Sequence, residues 1–253
     1  MEYPKIQTVF MRDVNGIIIP TQFTRSEFEW LKDCQFRAEE KIDGTNIRIE
    51  IEFDECGVCS WEFAGRTNKA VIPEHLLKRL HELFDEVNFH EVFNNPPCGT
   101  HITLYGEGYG CKIQSCGGRY LKDTCDFILF DVKVGNWWLY RDDVIDIANK
   151  LGIDYVPQLG YMTLMEAIDF VNKGFKSIIA EDSTLDAEGL VLKTPDNLLF
   201  RNGERIVLKI KTKDFRQFKQ KYGEDSLIFT NVDNKLVIST TVEQPINTHY
   251  ETD

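Results

Sequence analysis

The sequence predicts an α+β fold. Three observations carry that reading. Strand-like runs with alternating apolar residues recur, the clearest being Ile47, Ile49, Ile51 and Phe53 set against Arg48, Glu50 and Glu52. Several of these runs are joined by short turns, which favours antiparallel pairing. Helical patterns are interleaved with the strands and no internal repeat is evident, as expected for antiparallel sheets with flanking helices.

Taken in order, the segment YPKIQTVF at residues 3–10 reads as extended. Thr24 or Ser26 is placed to cap a short helix, SEFEWLKDC, with Phe28 and Leu31 on one face. A strand over Phe36–Ile42 delivers Lys41 to a Gly-Thr-Asn turn. The alternating run at 47–53 puts its isoleucines inward and Arg48, Glu50 and Glu52 outward. DECGVCS is a turn, and WEFAGRTN returns as the antiparallel partner, ending at Arg66. Pro73 opens an amphipathic helix with Leu76, Leu77, Leu80, Leu83 and Phe84 at helical spacing.

HITLYGEGYG is expected as a strand running into a glycine-rich turn that holds Glu107, and residues 111–125 as a mostly polar connection. The nearly continuous apolar run DFILFDVKV indicates a central strand, and NWWLY a short one. RDDVIDIANKLG and TLMEAIDFVNKG are helices with glycine stops. EGLVLKT and RIVLKIKTKDF follow as strands, and the tail reads as a helix end plus a hairpin around Val232, Asp233 and Asn234, with the last ten residues frayed.

A chain of 253 residues, 42% hydrophobic, suits one large domain or one domain with a small appendage. No apolar run reaches membrane-spanning length, and MEYPKIQTVF has no basic-then-apolar leader pattern, so a soluble, cytoplasmic protein with no membrane partner is expected. Seven cysteines, an odd number without framework spacing, favour reduced thiols. The net charge of −12 argues against a surface coated for nonspecific nucleic-acid binding. One strongly basic window stands out between Arg201 and Lys221. It reads either as a solvated surface or as a wall facing phosphates.

Six places carry chemistry. Lys41 precedes Asp43 by two residues, so the two share a face while the chain stays extended. A lysine is a nucleophile only when unprotonated, and a neighbouring acid can orient or receive its proton. Arg66 ends a hairpin strand and offers a fork for phosphate or carboxylate. Glu107 sits between glycines that let a ligand approach the backbone. Phe130 ends an apolar strand, where it either packs in a core or stacks on a base. Glu188 heads EGLVLK and suits a divalent cation or a plain loop. Lys209 and Lys211 project from one face of a strand while Ile206, Leu208 and Ile210 face the core. Paired ammoniums gain most by gripping phosphate. Cys56 and Cys59 have half a zinc-site spacing, with Cys111 and Cys116 as remote candidates, but no standard second half follows. The histidines show no H-x-x-x-H pairing, and neither a phosphate-binding G-x-x-x-x-G-K-S loop nor a nucleophilic-serine elbow is present.

In order, KIDG, the arginine of RTN, YGEG, FILFDV, EGLVLK and LKIK resemble the six signature motifs of the covalent nucleotidyltransferases, which comprise ATP-dependent DNA ligases, RNA ligases and messenger-RNA capping enzymes. The resemblance runs from about residue 3 to about residue 215. YPKI near the start, Asn46 in KIDGTN, the KIQ at 112–114 and the paired lysines of LKIKTKDF make the chain most similar to the ATP-dependent RNA ligase family. The resemblance implies an ATP-grasp-like ligase adenylation domain. It implies that Lys41 attacks the α-phosphorus of ATP and becomes lysyl-AMP, that Arg66 and Glu107 hold the ribose, and that Phe130 stacks on adenine. It gives Glu188 to a Mg²⁺ or Mn²⁺ ion and the reacting centre, Lys209 and Lys211 to the α-phosphate and leaving pyrophosphate, Asn46 to the acceptor 5′-phosphate, and Glu40 to the adenine edge. The partners implied are RNA 5′-phosphate and 3′-hydroxyl ends.

On this reading residues 1–215 form the adenylation domain and 216–253 a short C-terminal extension, too short for a full OB-fold. A protein or nucleic-acid clamp is then expected to replace the substrate-gripping domain. The competing readings are a small DNA ligase, a capping guanylyltransferase, and a non-catalytic nucleotide or RNA-end binding protein.

Overall fold

The computed structural model describes residues 2–56, 59–233 and 235–242. In chain order the first elements are β1 (Gln7–Thr8), β2 (Phe10–Arg12), β3 (Ile18–Phe23), α1 (Glu27–Leu31), β4 (Gln35–Lys41), β5 (Thr45–Phe53) and β6 (Cys59–Gly65). Then come α2 (Glu74–Phe84), α3 (Phe89–Val92), β7 (Thr100–Gly110), α4 (Gly117–Tyr120), β8 (Cys125–Val134), β9 (Trp137–Trp138) and α5 (Arg141–Leu151). The remainder is β10 (Asp154–Tyr155), β11 (Gln158–Thr163), α6 (Leu164–Lys173), β12 (Gly189–Lys193), β13 (Val207–Lys211), α7 (Thr212–Tyr222), β14 (Leu227–Val232) and β15 (Lys235–Thr240). The fold is thus α+β with predominantly antiparallel pairing, and among the described residues no sheet closes into a barrel.

The chain forms two compact units, each assembled from separate stretches. The first comprises Met1–Lys5, Ile42–Pro157 and Ile178–Leu185. Its sheet runs β10-β8-β7-β5-β6, with β9 paired to β8. Ile47, Ile49, Ile51 and Phe53 are buried as their alternation predicts, and pack with Leu76, Leu80 and Phe84 of α2. Each such fully buried side chain contributes roughly 1.5–3 kcal/mol. Leu77 and Leu83 sit at the margin of that face, half-buried.

The second unit comprises Ile6–Lys41, Gln158–Ser177 and Asp186–Asp253. Its sheet order is β1-β13-β12-β4-β11. Phe36 and Ala38 of β4, Leu190 and Leu192 of β12, and Leu208 and Ile210 of β13 form a core with α6 and α7. The start of α6 is fixed by a capping box: Thr163 Oγ1 accepts from the Glu166 amide at 3.2 Å, and the Glu166 carboxylate accepts from the Thr163 amide at 2.7 Å. α5 and α6 stop at Gly152 and Gly174, as predicted.

Several expectations are corrected. Arg48 does not face solvent; it is only 1% exposed, because that face of β5 is also covered. Glu107 lies inside β7 and not in a turn, since the strand continues to Gly110. The polar connection after it contains α4. The stretch after Lys211 is helical at once: α7 begins at Thr212, with Phe215 and Phe218 buried. Position 215, the expected end of the adenylation domain, falls within this helix. The tail hairpin pairs Val232 with Lys235, although Asn234 of its expected turn lies outside the described residues, as do the last ten residues expected to be frayed. β5 and β6 pair antiparallel as expected, and residues 57 and 58 of the turn expected between them lie outside the described residues. No described helix is long and apolar enough to cross a membrane.

Candidate active site

In the second unit, strand register brings distant residues into rows. Gly189 lies opposite Lys41 on one side and Lys211 on the other. One row further, Val191 lies between Glu39 and Lys209. Residues opposite one another in an antiparallel pair share a face. One face of this sheet therefore carries Lys41, Lys209 and Lys211, and the other carries the apolar core.

Glu188, at the head of β12, reaches both end lysines. The Lys41 ammonium donates to Glu188 Oε2 at 2.7 Å, and Lys211 Nζ lies 2.8 Å from Glu188 Oε1. Burial opposes ionisation of this carboxyl, but the Lys41 and Lys211 charges outweigh it and hold Glu188 below the usual carboxylate range. Gly189 makes the close approach possible. Its φ is +151°, and a Cβ there would lie 1.9 Å from the Ile210 carbonyl oxygen.

The same face holds an ion cluster that sequence reasoning missed. Arg37 Nε lies 2.9 Å from Glu39 Oε1, and Lys193 Nζ 2.8 Å from Glu39 Oε2, all three side chains buried. The available signal was period two: Arg37, Glu39 and Lys41 alternate along β4. Glu40, by the same periodicity, points to the opposite face from Lys41. It is 1% exposed and accepts a hydrogen bond from the Ser177 hydroxyl.

β4 ends at Lys41, so the extended run that would place Asp43 on its face is broken by the turn. Asp43 belongs to the first unit, where one segment grips it. The Cys116 thiol donates to Asp43 Oδ2 at 3.0 Å, the Asp43 amide donates to the Tyr120 hydroxyl at 3.3 Å, and Gln114 donates to the Gly44 carbonyl at 2.9 Å. Gly44 is sterically required. A Cβ would stand 2.2 Å from the Gly108 carbonyl oxygen.

Further along the first unit's sheet, Asn46 and Glu107 are directly opposed. Gly65 opposes Ile47, so exposed Arg66 comes one step beyond, at the same end of the sheet as Asn46. Asn46 Oδ1 is buried and has no hydrogen-bond partner among the described residues, an unmet acceptor. Phe130 is the extra residue of a β-bulge: Tyr105 opposes Asp131, but Gly106 opposes Leu129. Such a bulge re-aims a side chain. Phe130 stays half-buried, in edge contact with Tyr3, the ring centroids 5.1 Å apart. Arg48 was not foreseen as part of this region. Its guanidinium donates to the Gly65 carbonyl at 2.8 Å, to Asn68 Oδ1 at 2.6 Å and to Glu50 at 3.0 Å, bracketing Arg66 in sequence.

The RNA ligase family profile matches residues 35–211, from the start of β4 to the end of β13. The chain belongs to the RNA ligase family. No curated protein matches the sequence. Solved structures do resemble this RNA ligase family chain. A Naegleria gruberi RNA ligase with PPi is 19% identical, covering 87% of this chain and 64% of its own, with a TM-score of 0.56. A structure of Naegleria gruberi RNA ligase with ATP and Mn is 20% identical over 86% of this chain and 63% of its own, TM-score 0.54. An archaeal ATP-dependent RNA ligase is 16% identical over 87% of this chain and 51% of its own, TM-score 0.52. The family member described here thus spans less than two thirds of the length of each. At these identities the likeness establishes the shared fold.

Among its described residues, no group of three or more His, Cys, Asp or Glu side chains is arranged to hold a metal ion. Glu188 is ionised, and Mg²⁺ commonly needs only one or two carboxylates when phosphate oxygens and water complete its shell. The donor set fits a metal that arrives with a nucleotide.

Proposed function

We propose that the protein is an ATP-dependent RNA ligase that joins 5′-phosphate and 3′-hydroxyl RNA ends through lysyl-AMP and an adenylylated RNA end. The observation that carries this reading is the Lys41–Glu188–Lys211 cluster at the end of β4, with Lys41 at 2.7 Å and Lys211 at 2.8 Å from one carboxylate. Membership in the RNA ligase family supports the choice of RNA over the DNA ligase and capping readings.

In the resting arrangement Lys41 is a donor to Glu188 and so is no nucleophile. When a triphosphate arrives, its charge competes with Glu188 for Lys211. Lys41 loses a proton, which Glu188, Asp43 or solvent accepts. Its Nζ then attacks the α-phosphorus: the N–P bond forms, the P–O bond to the β-phosphate breaks, and pyrophosphate leaves. Lys209 and Lys211 stabilise the charge that develops on the phosphates. A divalent ion, Mg²⁺ or Mn²⁺, held by Glu188 would supply Lewis-acid stabilisation of the same charge.

In the first unit, Arg66 and Glu107 are assigned to the ribose and Phe130 to the adenine face. Asn46, with its unmet acceptor, is assigned to positioning the 5′-phosphate end. Glu40 supports the adenine site, through the backbone next to Lys41, since its carboxylate is taken by Ser177. AMP then passes to the RNA 5′-phosphate, regenerating the Lys41 amine, and the 3′-hydroxyl displaces it.

Residues 1–215 are assigned to adenylation, with 216–253 as their extension. A protein or nucleic-acid clamp is proposed to assist sealing, because α7 and β14 pack onto the second unit's own core through Phe215, Phe218 and Leu227. The cysteines, present as thiols, suit a soluble enzyme of a reducing cytoplasm.

The test is incubation with labelled ATP or GTP, followed by mapping of the adduct and assays on nicked RNA and nicked DNA. AMP on Lys41 and sealing of nicked RNA are expected. Labelling from GTP alone, or sealing of DNA alone, would overturn the assignment.

A further inference from the structure

Beside the reacting lysines, the second unit holds another concentration of cations. A hollow of about 460 Å³ opens along the end of α6, the segment after it and α7. Lys173, Lys176, Arg216 and Lys219 line it, against Asp186 and Glu224. Lys173 is paired with Asp169 at 2.5 Å, which leaves Lys176, Arg216 and Lys219 against the two acids, still a local positive excess in a chain of net charge −12.

The pairing inside it is unbalanced. Lys176 Nζ lies 2.6 Å from Asp186 Oδ1, and Arg216 pairs with the other oxygen of the same carboxylate. One acid thus serves two cations. Lys219 donates to a neutral partner, the Asn172 carbonyl, at 3.0 Å. The basic window seen in the sequence is divided here. Lys221 pairs with Asp13 at 3.2 Å, outside the hollow, while Arg216 and Lys219 join Lys173 and Lys176, which the window did not include.

The hollow is also tied to the reacting groups of its own unit. Asp186 is two residues before Glu188, so their Cα atoms are at most about 7 Å apart. Thr212, in the wall, follows Lys211 directly; its amide donates to the Glu188 carbonyl at 2.9 Å and its hydroxyl to the Ala187 carbonyl at 2.9 Å.

We propose that this hollow binds backbone phosphates of the RNA strand next to the reacting end, with Lys176, Arg216 and Lys219 as the phosphate-contacting side chains. The proposal rests on the ligase reading and deepens it. Several cations spread along an open groove suit a polymer that brings one charge per nucleotide, and Arg216 offers the planar fork that phosphate oxygens fit. Asp186 holds two of the cations in place until phosphate competes for them.

The experiment uses the full chain and two variants. The first carries Lys176→Gln, Arg216→Gln and Lys219→Gln; the second carries Asp186→Asn alone. Affinity for a nicked RNA duplex is measured against salt, with Lys41 labelling by ATP measured in parallel and inorganic phosphate as a competitor. The triple variant is expected to label within about two-fold of wild type and to bind RNA roughly ten-fold or more weakly at low salt. Its salt slope should be shallower by about 2 to 3, near 0.9 for each phosphate no longer neutralised. Asp186→Asn, which removes the charge paired with Lys176 and Arg216, is expected to bind RNA more tightly, an outcome that misfolding would not give. Unchanged RNA affinity and slope in the triple variant would overturn the proposal. So would an equal loss of labelling and RNA binding, or protection of the hollow by inorganic phosphate with no change in RNA binding. Absence of any adduct in the wild type would count against the ligase reading, while the RNA-binding comparison would still decide the hollow.

Discussion

Lys41 and Glu188 are 147 residues apart in the chain, yet their side chains meet at 2.7 Å, and Lys211 closes on the same carboxylate from the next strand. The nucleophile proposed for the reaction is thus stored as an ion pair, in a chain whose register sets Gly189, the next residue after Glu188, opposite both lysines.

Replacing Lys41 with Ala should abolish the AMP adduct and all sealing of unadenylylated RNA. The fold should survive, because Glu188 keeps Lys211 and the side chain of Lys41 is outside the core. Mass spectrometry of protein incubated with ATP, beside a thermal melt, checks both halves. Full labelling of the variant would remove Lys41 from its role.

Glu188 gives a prediction in pH. Burial alone would raise its folded carboxyl, but the Lys41 and Lys211 charges overcome that penalty, and it titrates below the usual range. Its contribution to stability is therefore fully present above the unfolded value, about 4.3, and is lost as pH falls through the lowered folded value. Urea midpoints between about pH 7 and pH 3 should show wild type losing a component that Glu188→Gln lacks, so the two curves converge in acid. Curves that stay parallel would place the ionisation elsewhere.

Arg48 is expected to act on ATP through the loop it holds. Arg48→Met leaves the buried Gly65 carbonyl without its donor, at a cost of about 1–3 kcal/mol, and releases the exposed Asn68 side chain. The adenylylation KM for ATP should rise more than kcat falls, since Arg66 is displaced while Lys41 is untouched. Equal changes in the two would reduce Arg48 to a structural part.

Phe130→Ala tests the bulge. Its ring is half-buried, in edge contact with Tyr3 at 5.1 Å, so truncation should lower the melting temperature only slightly while weakening ATP binding by roughly five- to one-hundred-fold, the scale of one base stack. Nucleotide titration by fluorescence or calorimetry reads this directly. A large fall in stability with unchanged nucleotide affinity would return Phe130 to the core.

Gly44→Ala should be severe for a different reason. The added methyl would stand 2.2 Å from the Gly108 carbonyl, so the turn between β4 and β5 must shift. Loss of both stability and labelling is expected, and a crystal structure of the variant with the turn unmoved would contradict it.

Much of this was legible beforehand because strand alternation fixes faces. The isoleucines of β5, the opposed faces of β13, and Lys41 at a strand end all follow from a period of two. Alternation does not say whether the second face of a sheet is covered, which is why Arg48 read as exposed and proved buried. Glu107 read as a turn residue because its flanking glycines are turn formers by composition, whereas here they relieve crowding inside a strand: a Cβ at Gly106 would meet the Phe127 ring at 2.2 Å. The hold of Gln114, Cys116 and Tyr120 on the Asp43 turn had no local signal, being three single polar contacts from a segment with no periodicity. Lys173 and Lys176 escaped notice because the cations that share the hollow with them, Arg216 and Lys219, are forty or more residues on, in α7.

The neighbours of β4 are β11 and β12, beginning at Gln158 and Gly189. During synthesis, then, the strand that ends in Lys41 leaves the ribosome long before either hydrogen-bonding partner exists. The first unit meets no such delay, since β5 to β8 pair with strands that follow closely in the chain. Until the later segments emerge, Phe36 and Ala38 stay exposed on a bare strand, open to wrong pairing. Pairing of the strand that ends in Lys41 therefore requires the closure of long loops, which costs more than the local pairings of the first unit. A translation pause in the stretch before residue 158 is therefore expected to alter the yield of folded chain more than its final stability.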